Sequence, residues 1–176
     1  MKTKIFDKKA IKAAFISTIP VMSGYLVLGI GFGVLLKTKG YGVMWALVMS
    51  LCIYAGSMQY VAIDLLSGGA SLIVAALTTL TVNARHLFYG ISMIDKYKSR
   101  GKVKPYLIFA LTDETYSLVC NDENSVGVEN KTAYYFFVSL FNHIYWVAGS
   151  VIGAILGAAI PFSTEGIDFS LTALFV

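Results

Sequence analysis

Apolar runs of about 18 to 27 residues recur along the chain, and each is long enough to cross a membrane. A helix rises about 1.5 Å per residue, so about 20 residues cross a hydrocarbon core about 30 Å thick. The runs do not alternate between apolar and polar residues, which excludes the strands of an outer-membrane barrel. Charged residues make up only 14% of the sequence, against about 25% in average soluble proteins. The sequence therefore predicts an all-α integral membrane protein.

Hydropathy gives the order of the expected spans. We expect a single transmembrane domain with spans at about 10–36, 42–66, 105–120 and 132–159, an interrupted segment at 70–94, and a partial span at 167–176. The chain stops inside that last run, so we expect it either to be cut short or to be completed by packing on another chain. These segments predict a multi-span helical bundle.

Loop charges assign sides of the membrane to this bundle. The N-terminal flank and the loop 95–104 are rich in lysine, so both should be cytoplasmic, whereas the acidic loop 121–131 should lie outside. If every segment before residue 95 crossed, the loop 95–104 would lie on the wrong side. We therefore expect the segment 70–94 to be a broken or re-entrant helix pair that turns at Asn83. Lys37 and Lys39 count against this topology, because it leaves both outside.

A weak internal repeat points to the same kind of architecture. Sliding the sequence along itself places Tyr145, Gly149, Gly153 and Leu156 over Tyr25, Gly29, Gly33 and Leu36. An inverted repeat, common among secondary transporters, is one interpretation. Close helix packing by glycines alone is the other.

Charged side chains inside the apolar runs are the first functional signal. Arg85, Asp113 and Glu114 each cost about 2.5–3.5 kcal/mol at a helix centre, so they should face the protein interior. Asp113 and Glu114 are expected near the middle of the span 105–120, where neighbouring helical residues point about 100° apart. One carboxylate can then pair with Arg85 while the other meets a substrate ammonium or a proton. A purely structural ion pair is the alternative, and His86 is either a proton relay or a hydrogen-bonded turn residue.

The span 42–66 contains a second interruption. Gly56 and Ser57 can loosen the helix where Gln59 supplies an amide and where the Tyr54 ring lies close by. Backbone groups exposed at such breaks bind polar ligands in transporters. The alternative is a helix-packing contact with a buried glutamine hydrogen bond. Similarly, we interpret His143 as an interhelical hydrogen-bonding group.

Several function classes lack their motifs. The sequence has no GxxxxGK[ST] loop for nucleotides, and neither a zinc helix HExxH nor a GxSxG elbow. We therefore expect neither an enzyme nor a bound cofactor or metal. The basic N-terminal flank indicates topology rather than nucleic-acid binding.

Four ordered stretches resemble a known family. They are "YAGSMQYVA" at 54–62, "LTTLTVNARHLFYGISM" at 77–93, "FALTDETYSL" at 109–118 and "GIDFSLTALFV" at 166–176. They are similar to the signature stretches of the AzlC family of branched-chain amino acid permeases, whose members usually continue well beyond residue 176. The resemblance implies export of branched-chain amino acids across the bacterial inner membrane together with a small membrane subunit of the AzlD type.

Such a substrate needs a cationic end, an acidic end and an apolar wall. Arg85 with Asn83 can take its carboxylate, and Asp113 or Glu114 can take its ammonium. The mechanism that we expect is alternating access coupled to proton movement through these acids, with His86 as a further candidate. An accessory assembly subunit and a membrane-embedded enzyme are the alternatives. The remaining candidate substrate-binding residues are Tyr54, Ser57, Met58, Gln59, Phe88 and Tyr89.

Overall fold

Two long apolar helices dominate the computed structural model, which describes residues 5–121 and 123–159. Helix α1 comprises Lys8–Thr38 and helix α9 comprises Lys131–Ala159. Both are long and apolar enough to cross a membrane, and they cover the expected spans 10–36 and 132–159. The partial span expected at 167–176 lies outside the described residues.

Shorter helices fill the sequence between these two. In chain order they are α2 Val43–Cys52, α3 Gly56–Ser67, α4 Leu72–Val82, α5 Ala84–Ser92, α6 Ile94–Tyr97, α7 Lys104–Phe109 and α8 Asp113–Val119. Strands are absent from the part of the chain that the structure describes. The helical class predicted from the apolar runs is therefore confirmed, while the number of membrane crossings stays a prediction.

The chain forms two compact units. Among the described residues, the first unit contains residues 5–23 together with those of Ala84–Ile144, and the second contains Gly24–Asn83 together with residues 145–159. Each unit therefore takes one part of α1 and one part of α9. We describe the two units separately.

The expected span 42–66 is two helices in the second unit, and the break between them lies directly before Gly56 and Ser57, where an interruption was expected. Ile53, Tyr54 and Ala55 separate α2 from α3, and Tyr54 has a φ of +45°, which is uncommon for an aromatic residue. Gln59 Nε2 donates a hydrogen bond to Ser50 Oγ over 3.2 Å. In one straight helix the Cα atoms of these residues would be about 13.5 Å apart, too far for that bond. The chain must therefore bend at the break.

The expected span 105–120 is also interrupted, in the first unit. Helix α7 ends at Phe109 and α8 begins at Asp113, where the Thr112 side chain caps the new helix by accepting from the Thr115 N–H. The expectation that Asp113 and Glu114 lie near a helix centre is therefore wrong, because both occupy a first turn. Acidic side chains there complement the partial positive charge of the helix start.

Both ends of the α7–α8 pair lie at one end of the first unit. Lys96 Nζ donates to the carbonyl oxygens of Val119 and Cys120, over 3.1 and 2.7 Å. Arg100 Nη1 donates to Thr132 Oγ1 over 3.1 Å, and its guanidinium lies over the Tyr135 ring. The loops 95–104 and 121–131 are thus neighbours, which counts against their predicted placement on opposite sides of a membrane. Acidic residues say little about topology, so the side on which the loop 121–131 lies stays a prediction.

The segment 70–94 is interrupted at the residue that the sequence indicated. Asn83 separates α4 from α5, and its N–H bonds the carbonyl of Thr79. Together α4 and α5 have the length and composition of one membrane span with a bend. A broken span and a re-entrant loop both fit that description, so the re-entrant interpretation stays a prediction.

Glycines set the closest helix contact in the second unit. A Cβ added at Gly33 would lie 2.1 Å from the Ser150 carbonyl oxygen, and one added at Gly153 would lie 2.1 Å from that of Ile30. The backbones of α1 and α9 therefore touch through residues without side chains, as in small-residue packing within membranes. Gly29 and Gly149, the other glycine pair of the internal repeat, also meet.

Candidate functional site

An ion pair joins the first turns of α5 and α8 in the first unit. Arg85 Nη1 lies 2.5 Å from Asp113 Oδ2, and the two side chains are 41% and 33% exposed. Asp113 Oδ1 is buried and has no hydrogen-bond partner among the described residues. The pairing predicted from the cost of burying charge is thus present, with one carboxylate oxygen left for another donor.

Two tyrosines extend this pair into a cluster. The rings of Tyr89 and Tyr116 stack with centroids 4.6 Å apart, and Tyr89 interacts electrostatically with Arg85, Asp113 and Glu114. Four predicted site residues are therefore gathered in one place: Arg85, Tyr89, Asp113 and Glu114. We call these four residues together with Tyr116 the charged cluster.

The sequence reasoning missed Tyr116, although a signal for it exists. Tyr116 follows Asp113 by three residues in α8, and residues three apart share a helix face. The Tyr116 hydroxyl accepts a hydrogen bond from Ser92 Oγ over 3.1 Å. This bond fixes the phenol against the last turn of α5.

His86 lies at the edge of the charged cluster. Its ring centroid is 6.0 Å from that of Tyr89, and its Nδ1 atom is buried with no hydrogen-bond partner in the described chain. The hydrogen-bonded turn interpretation would give that nitrogen a partner. Phe88, a candidate substrate-binding residue, is 72% exposed on α5.

A buried polar network lies at the break between α7 and α8, and the sequence reasoning did not identify it. Asn142 Nδ2 donates to Thr115 Oγ1 over 3.0 Å, and Thr112 Oγ1 donates to the same oxygen over 3.1 Å. Nearby, His143 Nδ1 and the Tyr106 hydroxyl are 3.2 Å apart. His143 thus joins α9 to α7, as its interpretation as an interhelical group predicts.

The other predicted substrate residues belong to the second unit. Gln59 is completely buried, and its amide both donates to Ser50 and accepts from Trp146 Nε1, over 3.2 and 2.8 Å. This is the geometry expected of a packing contact with a buried glutamine bond. Tyr54 and Met58 are buried beside it, at the break and in the first turn of α3.

Ser57 is half-buried in the same turn of α3, and Asn83 closes α4. Asn83 Oδ1 is buried and lacks a hydrogen-bond partner within the described residues. Substrate contact by these second-unit residues stays a prediction.

Comparison with known proteins gives these observations a family. The family model described as AzlC protein matches residues 20–160. The branched-chain amino acid transport protein AzlC of Bacillus subtilis is 47% identical over 95% of this chain. An uncharacterized membrane protein of Helicobacter pylori is 46% identical over 96% of this chain and 73% of its own length. The inner membrane protein YgaZ of Escherichia coli is 33% identical over 90% of this chain and 67% of its own length.

The chain spans 65% of the length of the Bacillus subtilis relative. No solved structure matches it. The family match covers both helical breaks and the charged cluster, and the relatives are described as membrane or transport proteins. The chain belongs to the AzlC family.

Proposed function

We propose that this protein exports branched-chain amino acids by secondary transport, and that the charged cluster holds the substrate. The observation that carries the proposal is the ion pair between Arg85 and Asp113. It places one cationic and one anionic group side by side in a chain with few charges. A zwitterionic amino acid carries the same two charges, so it can replace each partner of the pair in turn.

The exchange explains why an apolar side chain would be selected. The substrate carboxylate replaces Asp113 as the ionic partner of Arg85, and the substrate ammonium pairs with Asp113 or Glu114. The number of ionic contacts is then nearly unchanged, so they contribute little net affinity. Burial of a branched aliphatic side chain adds about 1.5–3 kcal/mol, which favours such substrates over glycine.

Proton coupling is the second part of the proposal. When Arg85 turns to the substrate carboxylate, Asp113 loses its ionic partner, and a proton or the substrate ammonium must compensate it. Glu114 lies next to it on α8 and supplies a second acceptor. Since a ligand shifts an equilibrium only through differential binding, the protonation of these acids can bias one facing state over the other.

The remaining predicted residues are assigned by the same reasoning. We propose that His86 relays protons to the acids and that Phe88 and Tyr89 contact the substrate in the first unit. Substrate contact by the second-unit residues Tyr54, Ser57, Met58, Gln59 and Asn83 stays a prediction from the sequence. The protein would act in the bacterial inner membrane with a cytoplasmic N-terminus and a small AzlD-type subunit, taking its substrate from the cytoplasm.

Counterflow of labelled leucine in proteoliposomes tests the proposal. Full-length protein, reconstituted with and without the small subunit, should exchange leucine in the wild type and lose exchange in Arg85→Ala. An imposed pH gradient should change the rate and reveal the direction of coupling. Wild-type vesicles that contain folded protein yet never exchange a branched-chain amino acid would favour an assembly subunit, for which the ion pair is structural.

A further inference from the structure

Three neutral polar side chains meet in the buried break between α7 and α8, and a fourth lies buried one turn away on α9. The proposed substrate chemistry does not use them. Thr112 is 7% exposed, whereas Thr115, Ser139 and Asn142 have no exposed surface. Thr112 and Thr115 belong to the break and the first turn of α8, and Ser139 and Asn142 lie on α9. We call these four residues the tip cluster.

The hydrogen bonds of the tip cluster leave oxygen atoms unused. The Asn142 amide nitrogen donates to Thr115 Oγ1, and Thr112 Oγ1 accepts from the Thr115 N–H over 3.3 Å. Asn142 Oδ1 and Ser139 Oγ are buried and have no hydrogen-bond partner among the described residues. Burying an unpaired polar atom is costly, so two such oxygen atoms in neighbouring turns of α9 indicate a binding site for an electropositive ligand.

The position of the tip cluster matches that of an ion site in a transporter. Asn142 lies about 17 Å along α9 from its first residue at 1.5 Å per residue, near the middle of a hydrocarbon core about 30 Å thick. Coupling ions in secondary transporters bind near the midplane, where helices are interrupted and oxygen ligands converge. The interruption between Phe109 and Asp113 provides such a place.

The chemistry of the ligands selects the ion. Hydroxyl and amide oxygens are hard, neutral ligands, which suit alkali and alkaline-earth cations rather than transition metals. The tip cluster contains no carboxylate, so it has no negative charge to offset the free energy needed to dehydrate a divalent ion. The amide orientation also fits, because the nitrogen faces Thr115 and the oxygen is left for a cation. We propose that the tip cluster binds Na⁺.

Thermal unfolding of the full-length protein in nanodiscs tests this site without any measurement of transport. At constant ionic strength, NaCl should raise the unfolding midpoint above that in choline chloride, and the rise should saturate. Ser139→Ala should raise the half-saturating Na⁺ concentration about tenfold. That change corresponds to the loss of one ligand worth about 1.4 kcal/mol of binding free energy. Its midpoint in choline should not fall, because the Ser139 hydroxyl has no bond to lose among the described residues.

Matched variants make the result specific. Thr115→Val should also lose the Na⁺ response, whereas Ser150→Ala should keep it. Ser150 is an equally buried hydroxyl on α9, but it donates to the Trp146 carbonyl in the second unit. An equal rise with NaCl and choline, or a full Na⁺ response in both Ser139→Ala and Thr115→Val, would overturn the site. Leucine exchange that survives such a result would leave the proposed function standing.

Discussion

Arg85 and Asp113 compensate each other's charge in a chain whose apolar runs contain few other charged residues. An exposed surface pair would be worth little, but this pair is about two-thirds buried and belongs to a membrane protein. Truncating one partner leaves the other charge uncompensated. At the scale of single residues, the question is whether the pair serves the fold or the substrate.

Arg85→Ala should reduce leucine exchange by about 10- to 150-fold while membrane abundance stays near that of the wild type. The estimate follows from the loss of a charge-assisted hydrogen bond to the substrate, about 1.5–3 kcal/mol, at a tenfold effect per 1.4 kcal/mol. Exchange in proteoliposomes of matched protein content measures it. Arg100→Ala is the control, since Arg100 contacts Tyr135 and Thr132 rather than the charged cluster. Disappearance of folded Arg85→Ala protein, with Arg100→Ala intact, would favour a structural ion pair.

The two adjacent acids should differ in their effect on pH dependence. Asp113→Asn removes the partner of Arg85, so leucine exchange should fall and lose its response to an imposed pH gradient. Glu114→Gln leaves that ion pair in place and should shift the pH profile while exchange continues. Initial rates across a pH series measure both variants. An unchanged profile in each variant would remove both acids from the coupling pathway.

Two interrupted helix pairs are the main feature at the scale of secondary structure. The break at residues 53–55 lies beside Gly56, where an added Cβ would lie 3.0 Å from the Trp146 ring and would require the ring to shift. The break at residues 110–112 ends in the Thr112 cap. In both places a polar network lies at the turn, so the interruption is what brings polar side chains into an apolar protein.

The glycine contact between α1 and α9 gives the sharpest stability prediction. Gly153→Ala should lower the unfolding midpoint, with a cost of about 1–3 kcal/mol, because the new methyl group would meet the Ile30 backbone. Gly24→Ala is the matched control in α1, since nothing lies within 4 Å of its added Cβ. That variant should gain about 0.5–1 kcal/mol from better helix propensity. Equal midpoints for the two variants would contradict the close approach.

Sequence reasoning found the features that carry a large energetic penalty and missed those that do not. It named Arg85 and Asp113 because ionised groups are expensive in apolar surroundings, and it located the break at Asn83 from a polar residue in an apolar run. It also expected the helix to loosen at Gly56 and Ser57, directly after the observed break at residues 53–55. The break between α7 and α8 escaped it, because hydropathy averages over a short turn.

The break between α7 and α8 had a readable signal in the sequence. Thr112 followed by two acidic residues is a typical helix start, which a capping criterion would have detected. The tip cluster had no such signal. Thr115, Ser139 and Asn142 are neutral residues, and hydroxyls in membrane helices commonly bond their own backbone. Only the packing of α8 against α9 shows that these side chains meet.

At the scale of the whole molecule, the hydrogen bonds of Lys96 and Arg100 constrain where the two ends of the α7–α8 pair lie. Its helices have 6 and 7 residues, about 9 and 10 Å at 1.5 Å per residue, so neither spans a bilayer. Since the pair begins and ends beside the same loops, we predict that it enters the membrane and returns. The charge of the basic loop 95–104 predicts a cytoplasmic position, and the loop 121–131 is then predicted to be cytoplasmic too, despite its acidic residues.

Cysteine labelling tests this topology directly. In a background without Cys52 and Cys120, we expect Lys98→Cys and Glu129→Cys to resist an impermeant thiol reagent added outside intact cells. Both should react once the membrane is permeabilised, since both residues are exposed. Lys39→Cys, just after α1, should react from outside and so serves as the positive control. Glu129→Cys reacting from outside while Lys98→Cys stays shielded would mean that the chain crosses between them. The α7–α8 pair would then be a span, and the contacts of Lys96 with Val119 and Cys120 could not exist in the membrane.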